Sequence, residues 1–413
     1  MLKNIIVVND FAFINGGAAK VAIESAIGLA ELGYHVVFLA AVGPVDERLE
    51  RAGIRVVCLG QRDILSDSRR IRAIFQGLWN EKGKRTFNKL LSEFEPATTI
   101  VHVHGWIKAL SPSIWLSIAN NKIKAIVTLH DYFLFCPNGG LFNYRTREIC
   151  HKRPCSISCY VCNCDSRSYL QKWWRVLRQI IFNCVFDRVK DLSVIYISEL
   201  NKTVSSQSLK KKTTNWFYVK NPVIIHNSQI VDLTKNDVYL YVGRLSSEKG
   251  IELFCKAITE LGLNGEVLGD GPLRAEMEKK YPLIKFRGWQ SGEELNQYIS
   301  KAKTLVFPSL WYEGAPLTII EMLSYGIPCI VPDQCAASEE IINGKNGYVF
   351  ETGNLKSLEQ AIAQMESSNL VKIQQGIDTT KIKEEYSLQH HCGNLIECYK
   401  QILAANNTGK IQL

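Results

Sequence analysis

The stretch "NIIVVNDFAFINGGAAKVAIESAIGLAELGYHVVFLA", residues 4–40, decides the fold. Residues 4–10 form an apolar, β-branched run that reads as a strand. Residues 16–34 carry apolar side chains at helical spacing, and "HVVFLA", 35–40, is the next strand. Strands that are apolar on both faces, separated by helices, belong to a parallel sheet covered on both sides. The alternation continues through "IRVVCL" (54–59), "TIVHVHG" (99–105), "IKAIVTLHD" (123–131) and "SVIYIS" (193–198). It restarts near "NPVIIHNS" (221–228), with strands expected in "VYLYVGRL" (238–245), "GEVLGD" (265–270), "IKFRGW" (284–289), "TLVFPSL" (304–310), "PCIVPD" (328–333) and "GYVF" (347–350). The expected fold is therefore α/β, with two Rossmann-like doubly wound domains facing each other across a cleft, a common place for a ligand. The boundaries are 1–220 and 221–413, with a Cys-rich insertion near 136–166. The last helix, about 387–405, is expected to return to the N-terminal domain, with a polar tail after it.

A chain of 413 residues is too long for one ordinary core, and its 46% hydrophobic and 22% charged content fits a globular protein. The apolar run at the N-terminus is too short for a signal peptide, and no run reaches the ~18 residues of a spanning helix. A cytoplasmic location is expected. The net charge of +9 is uneven: residues 1–225 hold 31 Lys+Arg and 17 Asp+Glu, or +14, against 18 and 23, or −5, in the rest. A basic front half suits an anionic partner such as phosphate, lipid headgroup or nucleic acid, or is simply a solvated basic surface.

"YVGRLSSEKGIELF" ends a strand at Gly243 and starts a helix near Gly250, with Arg244 and Lys249 between. Free N–H groups at a helix start, a bidentate Arg and a mobile Lys make a diphosphate site. "WYEGAPLTIIE" leads into a helix of about Pro316–Tyr325. Glu313 precedes it and Glu321 lies in its second turn. A carboxylate amid apolar packing needs donors, and sugar or ribose hydroxyls supply them. The bland alternatives are a helix-dipole or capping role for Glu313 and a surface position for Glu321. Gly269 and Gly271 flank Asp270 after a strand, which suits a tight turn or a close approach to a ligand. Gly16 and Gly17 lie between the first strand and helix, but the G-x-G-x-x-G dinucleotide fingerprint is absent. His130 and Asp131 end a strand on the ligand-binding side. His102 and His104 share a strand face, as sheet-end packing or as a metal pair.

Together "GGAAK", "TLHD", "VGRLSSEKG", "GDGP" and "EGAPLTIIE" resemble the retaining glycosyltransferases of family 4, whose two-domain fold is glycosyltransferase B (GT-B). The resemblance implies that Arg244 and Lys249 hold the donor diphosphate, with Gly17 nearby. Glu321 would take the ribose, Glu313 the transferred sugar's hydroxyls, and His130 the sugar from the N-terminal domain, Glu313 and His130 forming the catalytic pair. The backbone of Gly314, Ala315 and Leu317, with Gly269 and Asp270, would line the donor. No Asp-x-Asp pair occurs, in keeping with a family that needs no metal at the diphosphate. Ala19 and Lys20 stand where many members are acidic after "GGA", and "EGAP" replaces Glu-Gly-Phe-Gly, so Pro316 removes one N–H. The expected partners are a nucleotide-sugar donor, a lipid-linked or oligosaccharide acceptor and an anionic membrane surface at the inner face of the cytoplasmic membrane. The setting implied is bacterial surface polysaccharide assembly (O-antigen, capsule or exopolysaccharide). The rivals are a sugar-nucleotide epimerase of the same fold and, in another class, a zinc-knuckle nucleic-acid-binding protein. The latter leaves the Arg, Lys and Glu set unexplained, so no nucleic acid is expected.

Two segments remain. The insertion holds six cysteines, and Cys159-x2-Cys162, completed by Cys150 and Cys155, suits a structural zinc; reduced packing thiols are the alternative. "SYLQKWWRVLRQIIFNCVFDRVKDL", residues 168–192, reads either as a membrane-surface helix or as a core helix with snorkelling cations.

Overall fold

In this computed structural model, residues 1–209, 213–225 and 229–404 are described. The first sheet has seven strands: β1 Asn4–Phe11, β2 His35–Val42, β3 Arg55–Cys58, β4 Thr99–Val103, β5 Lys124–Thr128, β6 Leu192–Tyr196 and β7 Thr213–Tyr218. Its order is β3-β2-β1-β4-β5-β6-β7, with every pairing parallel. The second sheet has six: β8 Val238–Val242, β9 Gly265–Leu268, β10 Lys285–Gly288, β11 Ala302–Val306, β12 Cys329–Pro332 and β13 Gly347–Phe350. Its order, β10-β9-β8-β11-β12-β13, repeats that of the first and is also all parallel. In each sheet the order reverses beside the first strand, at β1/β4 and at β8/β11. Ligands of doubly wound folds bind off the carboxyl ends of such switch points.

The period-2 alternation explains the layering. Ile6, Val8, Val37, Leu39, Val101 and Val103 face one cluster, while Ile5, Val7, Val36, Phe38 and Ile100 face the other. Tyr239 and Tyr241 against Leu240 divide the second sheet in the same way. Five helices matter below: α1 Gly17–Glu31, α2 Arg70–Leu78, α3 Tyr169–Phe186, α4 Leu317–Ser324 and α5 Leu388–Ala404. The last of these crosses back to the first sheet. Cys392, Leu395 and Tyr399 of α5 join Ala22, Ile23 and Ala26 of α1 in one buried cluster. A Cβ on Gly28 would stand only 2.7 Å from Cys392 Sγ, so α1 and α5 pack closely. His391 locks the same contact, 2.8 Å from Ser25 Oγ and 2.7 Å from the Lys220 carbonyl.

Two sequence expectations need correction. Edge strand β7 was missed, because "TTNWFY" mixes polar and aromatic residues with no continuous apolar run. Of the segment where the pattern restarts, 226–228 lie outside the described residues, as does the chain after 404. Pro316 is the cap of α4, in extended backbone (ψ 106°), rather than its first helical residue.

The domains touch at several points. Arg147 of the insertion pairs with Glu252 at 3.1 Å, and a Cβ on Gly140 would lie 3.0 Å from the Trp311 ring. The Glu339 carboxylate accepts the backbone N–H groups of Glu199 (3.1 Å) and Leu200 (2.7 Å) at the start of helix Glu199–Leu209. Among the described residues, no helix is long and apolar enough to cross a membrane.

Candidate active site

At the β8 switch point, residues 243–250 leave the sheet as a short 3-10 turn, Ser247–Lys249, followed by a helix from Ile251. Gly250 joins the two in the left-handed region, φ 68°, where a Cβ would sit 1.9 Å from the Pro308 carbonyl oxygen. Only glycine lets this loop lie against residues 307–310, which leave the neighbouring strand β11. The Glu248 carbonyl accepts the Leu310 N–H at 2.8 Å and ties the two loops together. Lys249 and Glu313 thereby meet, although 64 residues separate them.

The Glu313 side chain is 12% exposed, and its Oε1 accepts from the Lys249 ammonium, from Ser309 Oγ (2.9 Å) and from Trp311 Nε1 (2.6 Å). Lys249 also lies over the Trp311 ring, 5.1 Å from its centre. Charge-assisted bonds from three directions leave the carboxylate one orientation. The capping alternative is thus excluded for Glu313, whose carboxylate bonds side chains rather than helix N–H groups. Arg244 is exposed at the mouth of the same loop. Ser309 and Trp311 were not singled out from the sequence. Only proximity to Glu313 marked them.

Glu321 projects from the second turn of α4 and is half-buried. Its Oε1 lies 3.5 Å from Lys20 Nζ, on α1 of the other domain. The sequence marked Lys20 as a departure from a family pattern, and the structure makes it the partner of Glu321. Gly17, at the start of α1, is exposed, and a Cβ there would touch nothing within 4 Å. Gly314 and Ala315 face the first domain: a Cβ on Gly314 would lie 3.3 Å from Ile197 Cδ1, and Ala315 packs on the cluster that includes Ile197. Leu317 opens α4, packed beside Val223 and Ile320.

Gly269 has φ 137° and would carry a Cβ 1.9 Å from the Gly243 carbonyl oxygen. The close approach expected there from a ligand is thus made by the protein's own backbone. This loop positions the Arg244 turn. Asp270 is exposed, and its carboxylate accepts from Gly271 N–H (2.7 Å) and Arg274 (3.3 Å).

On the first domain, the histidines form a stack at the carboxyl ends of β4 and β5, with His102 and His104 buried and His130 half-buried. His102 lies 2.6 Å from Tyr399 OH and 2.7 Å from Thr128 Oγ1. His104 Nδ1 lies 2.9 Å from His130 Nε2, with the rings stacked. Burial pushes His130 down to about 3 and holds His102 and His104 well below the usual histidine range. The stack is therefore neutral near pH 7 and offers hydrogen bonds rather than charge. Asp10 closes the neighbouring loop, accepting the N–H groups of Lys108, Ala109 and Leu110 at 2.8 Å each.

The zinc expectation fails. Among the described residues, no three His, Cys, Asp or Glu groups are placed to hold a metal ion. Cys150, Cys155 and Cys162 are half-buried and Cys159 is buried, but they do not converge. Cys155 instead donates to the Phe135 carbonyl at 3.2 Å, and its sulfur accepts from Asn183 at 3.6 Å. Cys164, outside the expected set, accepts from Lys172 at 3.3 Å. Spacing of two suggested a ligand pair; the turn at Ile157–Tyr160 spends it on packing.

Residues 225–383 match the family model described as glycosyl transferases group 1. An uncharacterized glycosyltransferase of Methanocaldococcus jannaschii is 22% identical over 214 residues, 51% of this chain and 59% of that protein. The UDP-Gal:alpha-D-GlcNAc-diphosphoundecaprenol alpha-1,3-galactosyltransferase of Escherichia coli is 26% identical over 186 residues, 41% of this chain and 47% of that protein. The chain thus spans less than two thirds of either relative. Among solved structures, sucrose-phosphate synthase of Thermosynechococcus elongatus superposes with TM-score 0.71 at 15% identity, covering 98% of this chain and all (100%) of that one. Anabaena HepE in complex with UDP-glucose gives TM-score 0.64 at 15% identity, covering 96% and 99%. The fold is the two-domain α/β GT-B fold, and its second sheet lies within the segment that matches the glycosyl transferases group 1 model.

Proposed function

We propose that the chain is a retaining, metal-independent glycosyltransferase that moves a sugar from a nucleoside-diphosphate sugar to a lipid-linked glycan at the inner face of the cytoplasmic membrane. The observation that carries this is the Lys249–Glu313 pair. It sets a cation suited to phosphate and a carboxylate suited to sugar hydroxyls side by side at one switch point. Arg244 and Lys249 would grip the diphosphate, and the exposed start of α1 at Gly17 would face it from the other domain. Glu321 would accept from the ribose hydroxyls and Glu313 from the sugar hydroxyls. His130, neutral, would hydrogen-bond the sugar from the first domain. Gly314, Ala315 and Leu317 would lie along the donor.

In the transfer, the bond from C1 of the sugar to the β-phosphate oxygen breaks and a bond from C1 to the acceptor oxygen forms. The acceptor proton passes to the departing phosphate on the same face, and the nucleoside diphosphate leaves. Preorganised cations at the leaving oxygens are the main source of rate. Arg244 and Lys249 supply that charge, and the sequence has no Asp-x-Asp pair to seat a metal there. A lipid-diphosphate acceptor suits the basic first half. The Escherichia coli relative's name refers to such an acceptor, and surface polysaccharide assembly is the setting proposed.

A melting-temperature screen against UDP-, GDP-, ADP- and dTDP-sugars identifies the donor, since ligand binding raises the melting temperature. Glu321→Ala and Lys249→Ala are each expected to lower transfer by at least about 100-fold with the fold intact. Near-normal turnover in either variant would overturn the site assignment.

A further inference from the structure

We infer that α2, α3 and the turn between Ile157 and Val161 form one docking face for an anionic lipid bilayer. Helix α3 presents an apolar stripe to solvent while burying two of its cations. Its buried side carries Lys172, Arg178 and Gln179 together with Val176, Phe182, Val185 and Phe186, whereas its outer side carries Leu170, Trp173, Leu177 and Ile180. The positions 170, 173, 177 and 180 follow the helical repeat and form one stripe, about 15 Å long at 1.5 Å per residue. The buried cations are satisfied internally. Lys172 donates to Cys164, and Arg178 donates to the carbonyls of Ile107 and Pro137 while lying over the Trp174 ring. Snorkelling would instead carry the heads of Lys172 and Arg178 out to water, and it would not account for four exposed apolar side chains in one stripe.

Helix α2 continues the face. Ile71, Ile74 and Phe75, at spacing i, i+3, i+4, all point outward, and Ile71 is 74% and Phe75 67% exposed. The two helices are in contact: Trp174 Nε1 donates to the Ile74 carbonyl at 3.2 Å, and a Cβ on Gly77 would lie 2.6 Å from the Trp174 ring. On the other flank, Tyr169 OH donates to the Val161 carbonyl at 2.9 Å and ties the turn that carries Ile157, 82% exposed, to the start of α3, where Leu170 is also 82% exposed. A patch this continuous on a folded chain marks an interaction site.

Charge selects the occupant. Lys152, Arg153 and Arg167 are exposed around the turn, and Arg69 and Arg70 lead into α2. Residues 150–186 contain a single carboxylate, Asp165, which is buried and paired with Arg175 at 2.6 Å. Near α2, Asp67 is buried and paired with Arg72. Two copies of this face would set cations against cations, whereas a lipid surface bearing phosphates complements both the apolar stripe and its rim. The choice of occupant also rests on the proposed lipid-linked acceptor, which would lie in the same bilayer.

The test uses the full chain and vesicles of phosphatidylcholine with about 30 mol% phosphatidylglycerol. Flotation is expected to show at least tenfold stronger binding than to phosphatidylcholine alone, weakened at about 0.5 M salt. Vesicles should slow amide exchange in 70–78 and 157–180. Phe75→Glu and Leu170→Glu, both on the surface, are expected to keep the wild-type melting temperature and lose at least about tenfold in partition. Absent binding, equal binding to both vesicle types, or unchanged binding by both variants overturns the inference. Self-association of the wild type that both variants abolish would assign the face to a second copy and overturn it as well. The melting-temperature screen against UDP-, GDP-, ADP- and dTDP-sugars is run in parallel. A protein that binds vesicles but no nucleotide sugar would count against the transferase assignment and leave the lipid face standing.

Discussion

Glu313 and Glu321 are chemically alike, and the structure gives them different surroundings. Glu313 is surrounded by donors from its own domain, whereas Glu321 meets a cation from the other. The Lys20–Glu321 pair is about a quarter exposed on both sides (25% and 26%), so it is worth at most about 1 kcal/mol. If ribose hydroxyls take Glu321, they must displace Lys20. Lys20→Ala is therefore expected to tighten donor binding, by no more than about fivefold, as read by titration calorimetry. Weaker binding instead would show Lys20 acting on the donor itself. The sequence made both glutamates visible, because carboxylates beside an apolar helix are unusual. It could not show Ser309, Trp311 or Lys20 as their partners, since side-chain direction and the approach of α1 depend on packing.

At the scale of elements, most strands were legible because buried parallel strands are continuous apolar runs. The exception, β7, lies at an edge and lacks that run. Helix α3 was open to two readings for a related reason: periodicity locates two faces but does not say which one is inside. Loop 243–250 was legible as a strand-to-helix junction, and its support was not. Gly250 is the test of that support. Gly250→Ala puts a Cβ against the Pro308 carbonyl at a positive φ. It is expected to cost at least about 2 kcal/mol, lowering the melting temperature by several degrees, and to weaken nucleotide binding by displacing Lys249. An unchanged melting temperature would mean the two loops are not held together here.

For the whole molecule, the buried histidines link stability to pH. His391 sits between α1, α5 and the Lys220 backbone, and burial pushes it down to about 4. His130 is pushed down to about 3, and His102 and His104 lie well below the ordinary value. In the unfolded chain each would titrate near 6.5. Between about 4 and 6.5 the unfolded state binds protons that the native state excludes, so the native state loses stability as pH falls. The contribution is fully present above about pH 6.5, and each such histidine removes about 1.4 kcal/mol per pH unit below it. The melting temperature is expected to drop steadily from pH 7 to pH 5, with a shallower drop in His391→Asn. A flat profile would show that these imidazoles charge without unfolding.

What the sequence determined by itself was local: two runs of alternating strand and helix, a cationic strand-to-helix turn, and two carboxylates around one helix start. Each is set by residues within a few positions of one another, so period and composition suffice. Tertiary structure alone decided the partners. Lys20 meets Glu321 across 301 positions, Tyr399 reaches His102 across 297, and the cysteine spacing in the insertion resolves into packing rather than metal ligation. It also decided which side of α3 faces outward. Such contacts depend on how two sheets and a returning helix exclude water together, and no window of sequence contains that.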